Sequence, residues 1–484
     1  MRPLATRLAA QGFDLPRLSF ATRTALASCA ALAVAAYAGL DHPQWSAMTV
    51  WAASQPTRGQ LVEKSLFRVA GTLSGTTAGV ILMVLARGQP LYLSAGLALW
   101  IALCAGIGNL QRGFVAYGTM LAGYSAAMVA LLDSGHPDHV FAIGADRLAT
   151  ILVGVLLALV VGLLFTPKQA EQESVARLRH ISARVLRHLK EGLARPGDPA
   201  LADAQYALLA EIAAIEESLE PHGAGSLRSR GQMRAFRALL MGLIPLLLLA
   251  RRAVPGPAHS DEALHDALAA LESGLSASQA IAALKAAASA ASADPRLAEA
   301  LTGLAERLAP VLGAPEELAP GTHHPVVLHR DWVGARRAFV RAGVTLLATG
   351  VFWIATGWSG GPFLLLGVSI MISLFSTFEN PSHTMGFVAA GQVIGAAGAL
   401  ACRFLAWPLA TDMAGIVLLT MPFILLAPLF FSHRRTLPMA FDYAMVSLLL
   451  LHPTYPPTGT FLQMANAAVA VIAAPLVAMA AYRV

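Results

Sequence analysis

Charged side chains are scarce in this chain of 484 residues. Asp, Glu, Lys and Arg together make up 13% of the sequence, about half their usual share in soluble proteins. Apolar residues make up 56%, and the mean hydropathy is +0.61. These values exclude an ordinary soluble globular protein, because long apolar runs account for them, and they predict a polytopic membrane protein.

Motifs of enzymes and of nucleic-acid-binding proteins are also missing. The sequence contains no phosphate-binding loop, no HExxH motif and no nucleophile elbow, and no basic patch is interleaved with aromatic residues. The few cysteines lie in apolar runs, without CxxC spacing or histidine partners: Cys29, Cys104 and Cys402. We therefore expect no enzymatic activity, no metal or other cofactor, no disulfide and no nucleic acid partner.

The apolar runs form two blocks of six segments each. The first block has segments near 20–40, 43–55, 66–86, 90–109, 114–132 and 144–166. The second block has segments near 337–357, 362–378, 383–406, 412–431, 437–452 and 460–482. We predict twelve membrane segments, of which the second is short enough to be a half-helix or a strongly shortened span.

Matched features indicate that the second block repeats the first. Each block has an arginine just ahead of its first helix, a polar residue followed by proline after its second, and an arginine that opens its fifth. The matched pairs are Arg23 and Arg341, Gln55-Pro56 and Asn380-Pro381, and Arg112 and Arg435. Both copies start from a basic flank and hold an even number of segments, so the predicted fold class is an all-α polytopic membrane protein with two parallel repeats of about six transmembrane segments.

The residues between the two blocks have a different composition. Glu, Arg, Ala and Leu dominate there with helical periodicity, so we predict a soluble helical domain at 167–333 between transmembrane repeats at 1–166 and 334–484. Lys and Arg concentrate in connections that fall on one side of the membrane, which places both termini and this domain in the cytoplasm. Its very apolar stretch, Leu239 to Ala250, fits a buried bundle helix or a surface docked on the membrane.

The most informative pattern is a stripe of two cations and three glycines. Its residues are Lys64, Arg68, Gly71, Gly75 and Gly79, whose spacing places them on one face of a helix. The cations fit positive-inside anchoring of a helix end, or they attract anions to a cytoplasmic entrance. The glycines are typical of close helix contacts, a role that is compatible with lining a pathway.

Residues around this stripe extend the candidate anion site. Arg58 adds a third cation to the same connection, and Gln55 lies just before it. Trp51 is deep enough to stack on a flat ligand. In the second block Gly391 and Gly395 repeat the glycine part of the stripe without its cations.

Acidic residues are rare in the second block, and two of them are candidates for proton coupling. Asp442 lies in the apolar run LPMAFDYAMVSLLLL, where burial favours the protonated carboxyl. The alternative is a shallow carboxylate that caps a helix or pairs with a nearby arginine. Glu379 and His383 lie at the break FENPSH and are the other candidates.

The segment QPTRGQLVEKSLFRVAGTLSGTTAGV, from Gln55 to Val80, resembles the fusaric acid resistance family of bacterial inner-membrane proteins. The resemblance covers nearly the whole chain and is weaker at FENP and FDYAM in the second block. It implies efflux of aromatic or other hydrophobic carboxylic acids, driven by the proton gradient, together with a separate periplasmic membrane fusion protein as partner. More distantly, the first block is similar to plant channels that conduct organic anions.

Two other hypotheses stay open beside the exporter: a passive organic-anion channel, and a membrane scaffold that transports nothing. The carboxyl groups of Asp442 and Glu379 favour the exporter over the channel, since a passive pore needs no buried carboxylate. The basic face at Lys64 and Arg68 favours either of these over the scaffold. The expected partners are small organic anions, the lipid bilayer and further copies of the chain in a homo-oligomer.

Overall fold

The computed structural model describes residues 11–131, 140–165, 170–195, 198–219, 227–252, 258–313, 331–378 and 380–483. Within these ranges the chain is helical and forms no β-strand. Helix packing divides the chain into two compact units, one made of Met1–Thr166 with His329–Val484 and the other of Pro167–Leu328. We call them the membrane unit and the inserted unit.

The membrane unit consists of two sets of helices. The first half contains α1 Leu15–Tyr37, α2 Pro43–Ala53, α3 Arg58–Ala86, α4 Pro90–Leu110, α5 Gly113–Leu131 and α6 Val140–Phe165. The inserted unit contains α7 Ala170–Ala194, α8 Pro199–Leu219, α9 Leu227–Arg252, α10 Ala258–Glu272, α11 Ala277–Ala290 and α12 Pro295–Leu312. The second half of the membrane unit contains α13 Trp332–Thr356, α14 Gly361–Leu374, α15 Pro381–Ala401, α16 Met413–Ser432, α17 Leu437–Leu449 and α18 Phe461–Arg483.

Local sequence explains where these helices start. Proline occupies the first helical position of α2 and α4, where its missing N–H needs no partner. Asp14 caps α1 by accepting a hydrogen bond from the backbone N–H of Arg17 at 3.0 Å, and Thr57 caps α3 in the same way. Each of these four helices thus begins at a signal in its own sequence, either a capping side chain or a proline in the first turn.

Three helices of the membrane unit are shorter than a full membrane span. In the described ranges, nine helices are long and apolar enough for a full span. By contrast, α2, α14 and α17 have 11, 14 and 13 residues, where a full span needs about 20. Nine of the twelve predicted segments are therefore long enough for a full helical span in the described ranges, and the other three are short helices, as the sequence already indicated for the second segment.

Helix pairing in the second half of the membrane unit mirrors that in the first. Within the first half, α3 packs against α5 and α6, and α2 packs against α6; within the second half, α15 packs against α17 and α18, and α14 packs against α18. The contacts between the halves also correspond, because α1 packs on α16 as α13 does on α4, and α2 packs on α17 as α14 does on α5.

The inserted unit is a helical bundle with its own apolar core. The apolar stretch from Leu239 to Ala250 belongs to α9, whose Leu243 and Leu246 are fully buried among side chains of α7 and α12. Of the two alternatives for this stretch, the structure therefore shows the buried bundle helix. Arg179 of α7 closes the end of α10 by donating hydrogen bonds to the carbonyl oxygens of Ala270 and Leu271.

Candidate functional site

Arg68 lies in the interior of the first half with only neutral partners. Its side chain is 4% exposed. Its Nη1 donates a hydrogen bond to the hydroxyl of Tyr117 at 2.6 Å, and its Nη2 donates to the hydroxyl of Thr49 at 3.2 Å. Its Nε has no partner, and no carboxylate of the described residues acts on its charge. Helices α2, α3 and α5 thus surround a buried cation that no acidic side chain of the described ranges neutralises.

The glycines of the stripe explain how Tyr117 reaches this arginine. A Cβ atom built on Gly71 would overlap the carbonyl oxygen of Gly118, and one built on Gly79 would lie 2.8 Å from the carbonyl oxygen of Ala126. The backbones of α3 and α5 are therefore in direct contact. This close approach brings the phenol of α5 within hydrogen-bonding distance of the guanidinium on α3.

The structure brings some of the other candidates to Arg68 and not all of them. Lys64, one turn earlier, places its Nζ 5.1 Å from the ring centre of Tyr117. Arg58 is the first residue of α3 and lies about three turns before Arg68. Trp51 is buried, and its indole ring stacks on Phe431 with centroids 4.9 Å apart, so one face of the ring is already covered.

Gln55 lies just after the end of α2. It lines a cavity of about 10 Å³ together with Arg23 and Gly162. Such a cavity holds about one water molecule. This cavity by itself is therefore too small for an organic anion.

A second buried arginine, Arg147 of α6, was not anticipated from the sequence. Its side chain is 2% exposed, and its guanidinium carbon lies 4.8 Å from the ring centre of Trp45. Its Nη2 donates only to the sulfur of Met128 at 3.0 Å, and its Nε has no partner among the described residues. The only signal in the sequence was the charged pair Asp146-Arg147 in an apolar run, which resembled the end of a span.

Tyr124 links the two arginines. This tyrosine of α5 is buried and interacts electrostatically with both Arg68 and Arg147, and also with Tyr117. The polar side chains therefore form one continuous group, which we call the arginine cluster and define as Thr49, Arg68, Tyr117, Tyr124 and Arg147.

Asp146 lies beside Arg147, but its oxygens are already engaged. Its Oδ1 accepts a hydrogen bond from the backbone N–H of Asp41 at 2.9 Å, and its Oδ2 lies 2.8 Å from Nδ1 of His42. The carboxylate therefore ties α6 to the start of α2 and forms no ion pair with the guanidinium within 4 Å in the described part of the chain.

The ring of His42 is the middle member of a stack. One face lies 4.0 Å from Trp45 and the other 4.8 Å from His452, which follows α17. Burial and the neighbouring His42 lower the pKa of His452 from its ordinary value of 6.5. This stack joins the first and second halves at one end of the membrane unit.

Asp442 is buried in the second half, apart from the arginine cluster. It is 7% exposed, and only the side chain of Gln392 on α15 and its own backbone interact with it. Neither Arg434 nor Arg435 pairs with it, so the shallow ion pair considered for this residue is absent from the described structure. The hydroxyl of Tyr443 donates to the carbonyl oxygen of Phe423 instead.

Of the other acid–base candidates, the structure describes His383, which lies apart from Asp442. His383 is exposed at the start of α15, where its ring packs against Phe387. It lies nine residues before Gln392, or about 14 Å along the helix axis. Glu379 falls outside the described residues.

The glycines of α15 repeat the contact made by α3. A Cβ atom on Gly391 would overlap the carbonyl oxygen of Met439, and one on Gly395 would lie 3.0 Å from the carbonyl oxygen of Tyr443. Helices α15 and α17 are therefore in backbone contact. Asp442 sits on this contact, because its Cβ lies 2.9 Å from the atom that a side chain on Gly391 would add.

A groove of about 350 Å³ runs between α3, α4 and α5. Its walls include Phe67, Trp100 and Leu103, and no charged residue lines it. The indole N–H of Trp100 is used by the carbonyl oxygen of Ala122 at 3.0 Å. The groove is suited to an apolar ring or chain, whereas a carboxylate needs the arginine cluster.

Comparison with known proteins adds an independent result. The sequence profile of the fusaric acid resistance protein family matches residues 17–484. The chain is 26% identical over 416 residues to an uncharacterized transporter of Gluconobacter oxydans. The aligned stretch covers 75% of this chain and 56% of the relative. It is 26% identical over 404 residues to the p-hydroxybenzoic acid efflux pump subunit AaeB of Edwardsiella ictaluri. Here the aligned stretch covers 75% of this chain and 60% of the relative.

A third relative matches over a shorter stretch. The uncharacterized transporter YdhK of Escherichia coli is 29% identical over 176 residues, or 36% of this chain and 26% of the relative. The chain therefore spans less than two thirds of the length of each of these curated relatives. No solved structure matches it.

Proposed function

The chain belongs to the fusaric acid resistance protein family, and from this premise we propose that it exports aromatic or other hydrophobic carboxylic acids across the bacterial inner membrane. The resemblance of the segment that begins at Gln55 is thereby confirmed. The family and the relatives named as transporters or as an efflux pump subunit support a role in membrane transport, and the apolar helices support a multi-pass membrane protein.

The observation that carries the carboxylate substrate is the buried guanidinium of Arg68. A buried charge is costly unless an opposite charge and hydrogen bonds compensate it. Here two neutral hydroxyls are the partners, and one donor nitrogen is unused. A carboxylate provides both the missing charge and planar acceptors that match the guanidinium fork.

The surroundings of Arg68 give a direction to this proposal. Lys64 lies one turn nearer the start of α3, and Arg58 is at that start. With the start of α3 on the cytoplasmic side, these cations attract anions from the cytoplasm and lead them to Arg68. Aromatic substrates are supported by Tyr117 and Tyr124, whose rings border the same site.

We propose two parallel repeats, and the corresponding helix pairs of the two halves support them. Parallel repeats place both termini and the inserted unit on the same side, which the distribution of Lys and Arg assigns to the cytoplasm. A further proposal concerns a partner protein. Because one relative is named as a pump subunit, we also propose a separate periplasmic membrane fusion protein as partner.

Cysteine labelling tests this topology. Ser292 in the inserted unit and Thr458 in the loop before α18 are both exposed. The three native cysteines are buried, so they contribute little background. We expect a membrane-impermeant maleimide added outside to label the Thr458→Cys variant and to spare the Ser292→Cys variant until the inner membrane is opened. External labelling of the Ser292→Cys variant would contradict a cytoplasmic inserted unit.

For proton coupling we propose Asp442. It is buried, it forms no ion pair with the described residues, and Gln392 provides its polar contact. Such a carboxyl group accepts and releases protons without disturbing a salt bridge. A passive anion channel is the competing function, because the arginine cluster alone would serve it.

Substitution of Asp442 by asparagine separates these functions. Asparagine keeps the shape of the protonated carboxyl but cannot release a proton. We expect the Asp442→Asn variant to lose uphill efflux in proteoliposomes with an imposed pH gradient, while exchange of labelled substrate at equal concentrations continues. Asp412→Asn is the matched control, because Asp412 is an exposed cap of α16 that asparagine replaces well.

Two results would count against coupling through Asp442. One is uphill efflux at the wild-type rate by the Asp442→Asn variant. The other is wild-type transport that does not respond to the pH gradient, which would favour the passive channel.

A further inference from the structure

The two buried arginines of the first half are close enough to act on one ligand. Arg68 is anchored by Thr49, and Arg147 lies over Trp45. These two anchors are four residues apart on α2, which corresponds to about 6 Å along the axis. The two guanidinium groups also interact electrostatically with each other, and Tyr124 interacts with both.

The charges of this pair are incompletely compensated. Like charges repel strongly in an interior from which water is excluded. Asp146 is the one acidic side chain of the described residues that acts on Arg147, and its oxygens are occupied by His42 and the backbone of Asp41. Each guanidinium also has an Nε without a partner. Both Nε atoms are donors that lack an oxygen acceptor.

An elongated ligand with an oxygen at each end would provide an acceptor for both guanidinium groups. A carboxylate binds one guanidinium, and a hydroxyl or second carboxylate across an aromatic ring reaches the other. Trp45 is not available for stacking on such a ring, since its faces are covered by Arg147 and His42. The other aromatic rings of the arginine cluster are those of Tyr117 and Tyr124 on α5, against which such a ring could pack.

We propose that Arg147 is the second substrate-binding residue of this transporter, and that together with Arg68 it selects aromatic acids that carry another oxygen opposite the carboxylate. The proposal rests on the proposed function, in which Arg68 binds the carboxylate. It adds a contact that sets specificity: a ring with only one carboxylate leaves Arg147 without an acceptor, and a site that leaves a buried donor unpaired discriminates against such a ligand.

Binding to the full chain in detergent tests this selectivity. The probes are benzoate and p-hydroxybenzoate, which differ by the one oxygen. For the wild type, isothermal titration should give about tenfold tighter binding of p-hydroxybenzoate, as expected for one hydrogen bond to a charged group. In the Arg147→Gln variant the affinity ratio should fall to about one. In the control Arg403→Gln, which removes an arginine that donates to the carbonyl oxygen of Thr458, the ratio should stay unchanged.

The outcomes distinguish this inference from the proposed function. A wild type that binds both probes equally, or an Arg147→Gln variant that keeps the wild-type ratio, would overturn the role of Arg147. Should that variant fail to fold, Arg147→Met replaces it: methionine has a similar length but no hydrogen-bond donor, so the ratio should again fall, and an unchanged ratio overturns the proposal. An Arg68→Gln variant that binds both probes like the wild type would instead overturn the proposed function.

Discussion

If the proposed function holds, replacing Arg68 by glutamine is expected to reduce transport of an aromatic acid, with p-hydroxybenzoate as the probe, by about 100-fold or more. The glutamine side chain can still meet the hydroxyls of Tyr117 and Thr49, but it carries no charge for the substrate carboxylate. Loss of one member of a buried, hydrogen-bonded charge pair commonly costs about 2–5 kcal/mol. Initial rates of labelled substrate in proteoliposomes measure the effect.

Lys64→Gln is the matched control for this experiment. Lys64 is only partly buried and lies over the ring of Tyr117, so its removal should weaken the approach of anions and lower the rate only several-fold. A strong dependence of that smaller effect on salt concentration is expected as well. If the Arg68→Gln variant inserts, remains monodisperse and transports at the wild-type rate, Arg68 is a structural anchor and not a substrate ligand.

Replacing Gly75 by leucine is expected to prevent the membrane unit from packing. A Cβ atom at this position would overlap the carbonyl oxygen of Ala122 on α5 and lie 2.7 Å from the Cβ of Ser125. Backbone cannot move aside as a flexible side chain does, so α3 and α5 must separate. We expect a loss of more than about 3 kcal/mol in stability, seen as aggregation or as a large drop in the melting temperature in detergent.

Gly386→Leu provides the control for the Gly75 variant. Gly386 is also helical, in α15, and has no atom within 4 Å of the place of its Cβ. Its replacement by leucine should leave stability unchanged or raise it by up to about 1 kcal/mol, because leucine favours the helix over glycine. A Gly75→Leu protein that melts like the Gly386→Leu protein would show that α3 and α5 do not touch as described.

Packing also accounts for the loss of function expected at Gly75. Because the contact of α3 with α5 brings Tyr117 to Arg68, separation of these helices removes the hydroxyl partner as well as the fold. A milder variant, Gly75→Ala, should therefore lower substrate affinity together with stability, whereas Arg68→Gln lowers affinity alone. Parallel measurements of melting and binding separate the two effects.

Much of the architecture was predictable from short stretches of sequence. The apolar runs predicted helices wherever the membrane unit has them, because hydropathy and capping residues act within one segment. The spacing from Lys64 to Gly79 correctly placed those residues on one helical face, since a helix repeats every 3.6 residues. The family resemblance likewise depended on contiguous residues, those from Gln55 to Val80.

Short helices were less predictable. The run at 437–452 is as apolar as its neighbours, yet α17 ends at Leu449 and has only 13 residues. Hydropathy predicts that a segment is buried, but it does not distinguish burial in lipid from burial in protein. That distinction is made by the helices packed around α17, which are distant in sequence.

By itself, the sequence determined the helical membrane class, the extents of most helices and the face that carries Arg68. Only the tertiary structure decided the partners of that face: it joined Arg68 to Tyr117 and Thr49, added Arg147 through Tyr124, turned Trp51 towards Phe431 and kept Asp442 apart from His383. The physical reason is the distance along the sequence over which each kind of information acts. Hydropathy and periodicity act within a helix, whereas a buried site forms between helices, where backbone contacts at glycine set which polar side chains meet.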